Sequence, residues 1–523
     1  MIGSGLAGIS AAKALLSRGF QVRLIDGGYG LENERNDVLK RMKGSPKSSW
    51  NKKDVKKIME NNFPTVDGLG LKHAYGSDFP YRNSDVSWDW ELEGAKMFRS
   101  LAKGGLSNVW GAAVLPVARQ DIEEWPIAYS ELDEHYRKIF EFMPLSGGDH
   151  DYDGLLPTHA SSIEKFDLCE QARHVLEKSE KNTQSLRKNG ILIGQSRLAV
   201  NLGSQNGKPI CAKCGLCLHG CPLGLIYNSK DTLDEIISDK RLNYSPGYLI
   251  NHFEEKKEHI EIHANNVMSK EKSVFKCRKL FLAAGIMSTN RILLRTLNLY
   301  DQPVKLAHSD LFQTPLLLSK NFPDVPLEET LTLSQLNIEI KGGRLGDRLT
   351  HIQLYGYNDL LEKVFDQKTN GLKGPIKDFV RKKFIGRIMV AKGYLHSNHS
   401  SEIKMVLDKK TKKLMIKGIP NKNARKLVNG VIRKLFFNAR KLGFTPIPGM
   451  TKFSIPGEGN HSGGSFPMSE NPGMLQSDVM GRPGYLKRTH VVDSSILPSI
   501  TATTIALTAM ANAHRIASKV ELN

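Results

Sequence analysis

Apolar and polar positions alternate in several distinct rhythms along the 523-residue chain. At the front, Met1-Ile2 reads as the tail of a strand, followed by a glycine-rich turn and an Ala/Leu-rich helix that begins near Gly5. Gly19 stops that helix, and an apolar strand follows from Val22 and ends on Asp26. Residues 28–95 are rich in Lys, Asn and Gly and predict a surface excursion with short helices. Ser130 is placed to cap a helix reaching Tyr136. Lys279–Leu282 is a hydrophobic strand that breaks at Ala283-Ala284-Gly285 and gives way to a helix. Period-two alternation marks strands in Met389–Val406 and Lys413–Ile419. Ile376, Phe379, Val380, Phe384 and Ile388 fall near one helical face, opposite a basic one. Ser494–Ala513 has no charge, but Pro498 and its threonines predict a buried helix at a ligand rather than a membrane span. The opening strand–turn–helix–strand and the second strand-to-helix crossing at Ala283–Gly285 predict α/β elements.

The opening turn is G-x-G-x-x-G. Gly3 permits a tight turn, Gly5 lets backbone approach a pyrophosphate, and Gly8 lets helix and sheet pack closely. Leu6 and Ala7 open a helix whose N-terminal N–H groups point at the phosphates. Asp26 stands at the distance expected for an acid that accepts hydrogen bonds from a ribose, which favours FAD or NAD over NADP. Only two residues precede Gly3, so the first strand is expected to be a stub if it is not clipped.

Composition changes this picture little. An apolar share of 40% and a charged share of 24% are those of a globular protein, and the length allows two or three domains. The net charge of +20 is spread over most segments instead of forming a basic arm, which argues against nucleic acid as a partner. No basic n-region precedes the nucleotide turn, so a cytoplasmic location is expected. The six cysteines, four of them in one run, suggest metal or redox use in a reducing compartment rather than a disulfide framework.

Further motifs follow in order. Gly104-Gly105-Leu106-Ser107-Asn108-Val109-Trp110-Gly111 suggests a backbone loop pressed against something flat. Trp125-Pro126-Ile127-Ala128-Tyr129-Ser130-Glu131-Leu132 comes next, then the Ala284-Gly285 crossing. Asn460-His461-Ser462-Gly463-Gly464-Ser465 and Val491-Val492-Asp493-Ser494-Ser495-Ile496-Leu497-Pro498 close the series. Taken together with the opening motif, these stretches resemble the glucose–methanol–choline (GMC) family of FAD-dependent alcohol oxidoreductases, over nearly the whole chain. The resemblance implies a Rossmann-like FAD-binding domain assembled from discontinuous segments, 1–300 and 456–523, with a Cys-rich insertion at 205–230. It also implies an α+β substrate domain on an antiparallel sheet at 301–455. FAD would contact Gly3, Gly5, Leu6, Ala7, Gly8, Asp26, Gly104, Gly105, Ser107, Asn108, Ala284, Gly285 and Asp493.

Oxidation of an alcohol or sugar by hydride transfer requires a hydride acceptor, a base for the hydroxyl proton, and compensation for charge on the reduced flavin. His461 is the best placed of sixteen histidines: its glycine-rich loop leaves room for substrate, and a near-neutral imidazole suits a general base. The resemblance points to the same residue. The terminal helix, with threonine caps at Thr501–Thr504, is expected to face the flavin and stabilise its anion. Family members usually carry a second His or an Asn where this chain has Thr504, which donates a hydrogen bond but cannot act as a base near neutrality. Val109 stands where covalently flavinylated relatives have a histidine, so FAD is expected to be non-covalent. Thr504 also leaves open a non-catalytic flavin- or metal-binding protein with an inherited fold.

Cys211, Cys214, Cys217 and Cys221 follow C-x2-C-x2-C-x3-C-P, the spacing of bacterial ferredoxins. An Fe–S cluster, a structural zinc and plain loop cysteines all remain open. A cluster would make the enzyme a dehydrogenase rather than an oxidase. The basic, apolar-faced segment 376–388 would suit either peripheral contact with an anionic membrane or a helix covering the core.

Overall fold

A computed structural model describes residues 1–61, 72–82, 90–150, 152–203, 209–342, 346, 348–371 and 374–521. Residues 205–208 of the expected insertion, and parts of the 28–95 excursion, lie outside the described residues.

The opening stretch folds as its glycines dictate. The helix Leu6–Ser17 ends at Arg18, Gly19 follows with φ +82, and Val22–Asp26 is a strand. This strand pairs in parallel with Leu242–Pro246, and Leu280–Leu282 pairs in parallel with Thr489–Val491. Ile2 joins the two pairs, bridging Ile25 on one side and Leu282 on the other. The first strand is therefore a single rung at the centre of a parallel sheet, held by Ile2 N–H donating to the Phe281 carbonyl at 2.9 Å and Ile25 N–H to that of Met1 at 2.9 Å. Ile2, Leu24, Ile25, Leu282 and Val491 are buried in the core that this sheet shares with its neighbours. The terminal helix Ala506–Lys519 packs on Leu6–Ser17 and on Tyr129–Phe140, where the Tyr136 and Thr508 hydroxyls meet at 2.9 Å.

A second layer is an antiparallel sheet in the order 444–446, 311–318, 388–395, 350–355, 336–340, 191–195, with Lys452–Phe453 on the free part of Leu311–Leu318. Its core is closed by the helices Glu170–Glu180 and Lys422–Phe437. The molecule is thus a Rossmann-like α/β unit of discontinuous segments joined to an α+β unit on an antiparallel sheet. Packing crosses the expected domain limits in two places. Ile191–Gln195 is an edge strand of the second sheet, while Glu402–Leu407 and Leu414–Ile419 bury Ile403, Met405 and Ile416 in the first core.

Three sequence expectations about element ends need correction. The helix at 129 starts before Ser130: Ala128 is the N-cap, and Glu131 Oε1 reaches back to accept its N–H at 3.2 Å. The terminal helix starts at Ala506, not within Thr501–Thr504, because Thr501 and Thr503 bond each other at 3.0 Å and leave Ile505 as an N-cap with no side-chain bond. The basic helix stops at Phe384. Ile388 begins the strand Ile388–Leu395, and Ile376 and Phe379 are 63% and 61% exposed, so they do not cover the core. No helix among the described residues is long and apolar enough to cross a membrane.

Candidate active site

The two halves of the glycine motif do different work. A Cβ on Gly3 would lie 2.2 Å from the Ala283 carbonyl oxygen, and one on Gly8 would lie 2.0 Å from that of Gly3. These two glycines let turn, helix and second crossing interlock. Gly5 and Gly285, by contrast, face open space. A Cβ on Gly105 would approach Gly5 Cα at 3.5 Å, so the Gly104-Gly105 loop lies beside the open side of the turn. A cleft runs here past Gly3, Asp26, Leu101, Tyr248, Ala284 and Arg291. The cleft thus borders both glycine crossings and Asp26.

Asp26 sits in this cleft with its carboxylate held by two backbone donors, Ser4 N–H at 3.1 Å and Gly28 N–H at 2.8 Å. Burial pushes its pKa up to about 6, against the pull of those hydrogen bonds. Asp493 clamps the second crossing: its Oδ2 accepts from Gly285 N–H at 3.0 Å and from the Thr289 hydroxyl at 2.5 Å, and its Oδ1 accepts from Ser495 N–H at 3.0 Å. Burial raises its pKa too, opposed by the same donors.

Ser107 and Asn108 organise the loop rather than project from it. The Ser107 hydroxyl donates to the Gly104 carbonyl at 2.6 Å, and Asn108 Nδ2 donates to the carbonyls of Lys103 and Gly105 at 3.0 and 2.7 Å. Sequence reasoning missed their partners. Asn228 Nδ2 donates to Asn108 Oδ1 at 2.6 Å, the Ser229 hydroxyl donates to the Ser4 carbonyl at 2.9 Å, and Gly104 N–H donates to Ser4 Oγ at 2.8 Å. Asn228 also caps the helix Ser229–Ile236, a local signal visible in Asn-Ser-Lys-Asp.

His461 follows a left-handed Asn460, φ +57, in the loop leading into the Ser462–Gly463 strand. Its carbonyl accepts from Ser309 N–H at 2.9 Å, and Ser462 pairs with His308. Its imidazole stacks on Tyr394, with ring centroids 4.6 Å apart and planes 25° apart. Burial and the neighbouring His351 lower its pKa to about 4, so the near-neutral value expected from sequence is corrected to a ring that is uncharged throughout the neutral range. His461 Nδ1 and Thr504 Oγ1 are both buried without a hydrogen-bond partner.

Beside His461, one face of the antiparallel sheet is polar, although its strands are buried. Register sets Tyr394 opposite His351 and Lys392 opposite Gln353, while Glu339 lies opposite His351 on the far side. Glu339 Oε1 and His351 Nδ1 are 2.6 Å apart, His351 Nε2 meets Gln353 Nε2 at 3.2 Å, and the Tyr355 hydroxyl donates to Gln353 Oε1 at 2.9 Å. Burial lowers the Lys392 pKa to about 8. The Lys72 pKa also falls to about 8, chiefly by burial, with Cys217 and Cys221 opposing and Lys392 reinforcing. Lys72 Nζ donates to the Trp110 carbonyl at 3.2 Å. None of these sheet residues was singled out from the sequence, although every second position of Thr350-His351-Ile352-Gln353-Leu354-Tyr355 carries the signal.

The four cysteines are all half-buried and unpaired in a loop closed by the turn Cys217–His219. Burial raises the pKa of Cys214 to about 11 and that of Cys221 to about 12. No three of their sulfurs lie within 4.8 Å of one another.

With its glycine cleft and polar sheet, the chain has the fold of the GMC oxidoreductases. Among solved structures it is similar to pyridoxine 4-oxidase from Mesorbium loti, at 14% identity and a TM-score of 0.59, over 99% of this chain and 97% of the other. It is similar also to a variant of Aspergillus oryzae RIB40 formate oxidase made to study FAD modification, at 12% identity and a TM-score of 0.62, over 99% of this chain and 96% of the other. No family model and no curated protein sequence matches it.

Proposed function

We propose that the chain is an FAD-dependent oxidoreductase that oxidises a CH–OH group of a sugar, polyol or other alcohol, with FAD held non-covalently. The observation that carries this reading is the uncharged His461 ring, stacked on Tyr394 with an unpartnered nitrogen, beside a polar sheet face in a chain that also carries the glycine crossings. Bound FAD would supply the hydride acceptor. Asp26 would hold the ribose, the open sides of Gly5, Gly105 and Gly285 would admit the cofactor's backbone-facing surface, and Asp493 fixes the Gly285 turn. The names of the similar structures, a pyridoxine 4-oxidase and a formate oxidase whose FAD is modified, support a flavin-dependent oxidoreductase.

On the substrate side, the His461 imidazole accepts the hydroxyl proton, and Tyr394 keeps the ring in plane for it. Gln353, Tyr355 and Lys392 offer hydrogen bonds suited to a polyhydroxylated substrate, and Thr504 offers a hydroxyl to its oxygen. The C-x2-C-x2-C-x3-C-P spacing of Cys211, Cys214, Cys217 and Cys221 supports an Fe–S cluster, which would make the enzyme a dehydrogenase. Peripheral contact with an anionic membrane through Gly374–Phe384 belongs to the same reading.

The test is anaerobic. Purified protein carrying FAD should bleach on addition of a sugar or polyol, and His461→Ala should retain flavin but lose bleaching. Flavin that stays oxidised with every alcohol tried, or bleaching unaffected by His461→Ala, would overturn the reading. Iron analysis and EPR of protein prepared without oxygen decide the cysteine loop.

A further inference from the structure

The three-stranded sheet formed by Tyr248–Glu255, Ile260–Asn266 and Lys272–Cys277 carries a cluster outside the cleft and the cysteine loop. Register sets His252 directly opposite His263, after a shift in pairing between Ile250 and His252. Strand alternation brings Glu254 onto the same face as His252, diagonal to His263. The two imidazoles stack almost flat, with centroids 4.5 Å apart and planes at 4°. Both present Nε2 to one carboxylate oxygen: Glu254 Oε1 lies 3.9 Å from His252 Nε2 and 3.7 Å from His263 Nε2.

Those distances are too long for hydrogen bonds. His263 Nε2 is buried and has no hydrogen-bond partner, an arrangement that costs free energy unless something occupies the space before it. One ligand atom from each of the three residues lies within 4.8 Å of the other two. Ligands at about 2.0–2.2 Å around a tetrahedral ion sit roughly 3.4 Å apart, so closing on an ion draws the three atoms together and tilts the two stacked rings until their lone pairs converge.

We propose that His252, Glu254 and His263 form a binding site for a divalent transition-metal ion of the zinc class. Two imidazole nitrogens select such an ion over magnesium or calcium, which prefer all-oxygen sites. His252 and Glu254 are 40% and 46% exposed, so water completes the coordination. Lys256, which pairs with Glu254 and is half-exposed, would move aside into solvent. Tyr248–Ile250, at the start of the same strand, line the cleft, so the ion would pin the far end of a cofactor-bearing strand.

Cobalt(II) titration of the full chain tests this, because thiolate-bound cobalt gives an intense near-ultraviolet charge-transfer band and a nitrogen–oxygen site does not. The expected result is one equivalent of cobalt bound with visible d–d bands, without that band, and displaced by zinc. His263→Ala should weaken this binding more than about 10-fold, and Glu254→Gln should also weaken it, with any thiolate-type binding unchanged. X-ray absorption on the zinc-loaded wild type keeps the test independent of any variant's folding. It should show imidazole scattering at about 2.0 Å in the nitrogen–oxygen site. Absence of nitrogen–oxygen cobalt binding at millimolar concentration, or unchanged affinity in a folded His263→Ala, would overturn the proposal.

Discussion

The phenol ring of Tyr394 lies on the imidazole of His461, centroid to centroid at 4.6 Å. The contact fixes the plane of a ring whose pKa burial has lowered to about 4. As a base, His461 must be uncharged to accept a proton. The profile of kcat/KM against pH should therefore stay level on its acid side through the ordinary histidine value and fall only as pH drops through about 4. His461→Ala should reduce kcat by about 10²–10⁴. Tyr394→Leu keeps the base but frees its ring, and should cost about 10-fold to 100-fold in kcat with flavin content unchanged. An acid limb near pH 6.5 would assign the essential base elsewhere.

Asp26 sets cofactor binding against stability. Burial raises its pKa to about 6, so the folded chain resists the ionised carboxylate. The sign follows: a carboxyl whose folded pKa is raised binds more protons folded than unfolded, and destabilises the fold increasingly as pH rises through that window. The full cost above pH 6 is on the order of 1–3 kcal/mol, taking 1.36 kcal/mol per unit. Flavin-free Asp26→Asn removes the ionisation cost but turns an amide NH2 onto one of the two backbone donors, so it should lose wild type's gain on acidification from pH 7.5 towards pH 5. The same substitution should weaken flavin retention, since Asn presents one acceptor oxygen in place of two. Urea melts at the two pH values and flavin release on dialysis read both effects.

These residues differ in how far sequence could reveal them. Gly3, Gly5, Gly8 and Asp26 were legible because their requirements are local: a positive φ at Gly3, a close approach at Gly8 and a strand end at Asp26. The site's glycines at 104, 105 and 285 were legible for the same reason. The polar face was not, because Glu339, His351 and Lys392 come from three strands that meet only through register. Helix starts failed at Ser130 and Thr501–Thr504 because competing side-chain bonds, from Glu131 and between Thr501 and Thr503, decide the caps.

Glu339 and His351 are both fully buried and 2.6 Å apart. Burial raises the Glu339 pKa, and His351 opposes that rise. Removing one member leaves the other without its partner in the sheet. Glu339→Ala should destabilise the protein by about 3–5 kcal/mol. Glu339→Gln, which keeps a hydrogen bond to His351 Nδ1, should cost less. The double variant Glu339→Ala/His351→Ala should cost less than the sum of the single ones, a coupling that urea melts of the four proteins measure. Strict additivity would mean that the pair carries no shared energy.

The helix Gly374–Phe384 exposes Ile376, Phe379 and Phe384 beside Lys377, Arg381, Lys382 and Lys383. Some of this charge is engaged: Arg381 pairs with Glu362, and Lys377 pairs with Asp366 at 2.9 Å. Lys382 and Lys383 stand with the apolar ring of Phe379, over which Lys383 Nζ lies at 5.1 Å from the centroid. Burying Phe379 in an acyl boundary is worth about 1.5–3 kcal/mol, and each basic residue at an anionic surface adds about 1 kcal/mol. The chain should therefore sediment with phosphatidylserine-containing vesicles and not with phosphatidylcholine alone, and should be released by salt. Phe379→Asp should lower vesicle binding more than about 10-fold and leave turnover of a small soluble alcohol unchanged, because the helix stands outside the cleft and the polar face. Equal binding to both lipids would remove the anionic surface as partner, and binding untouched by Phe379→Asp would place the contact on another part of this basic protein.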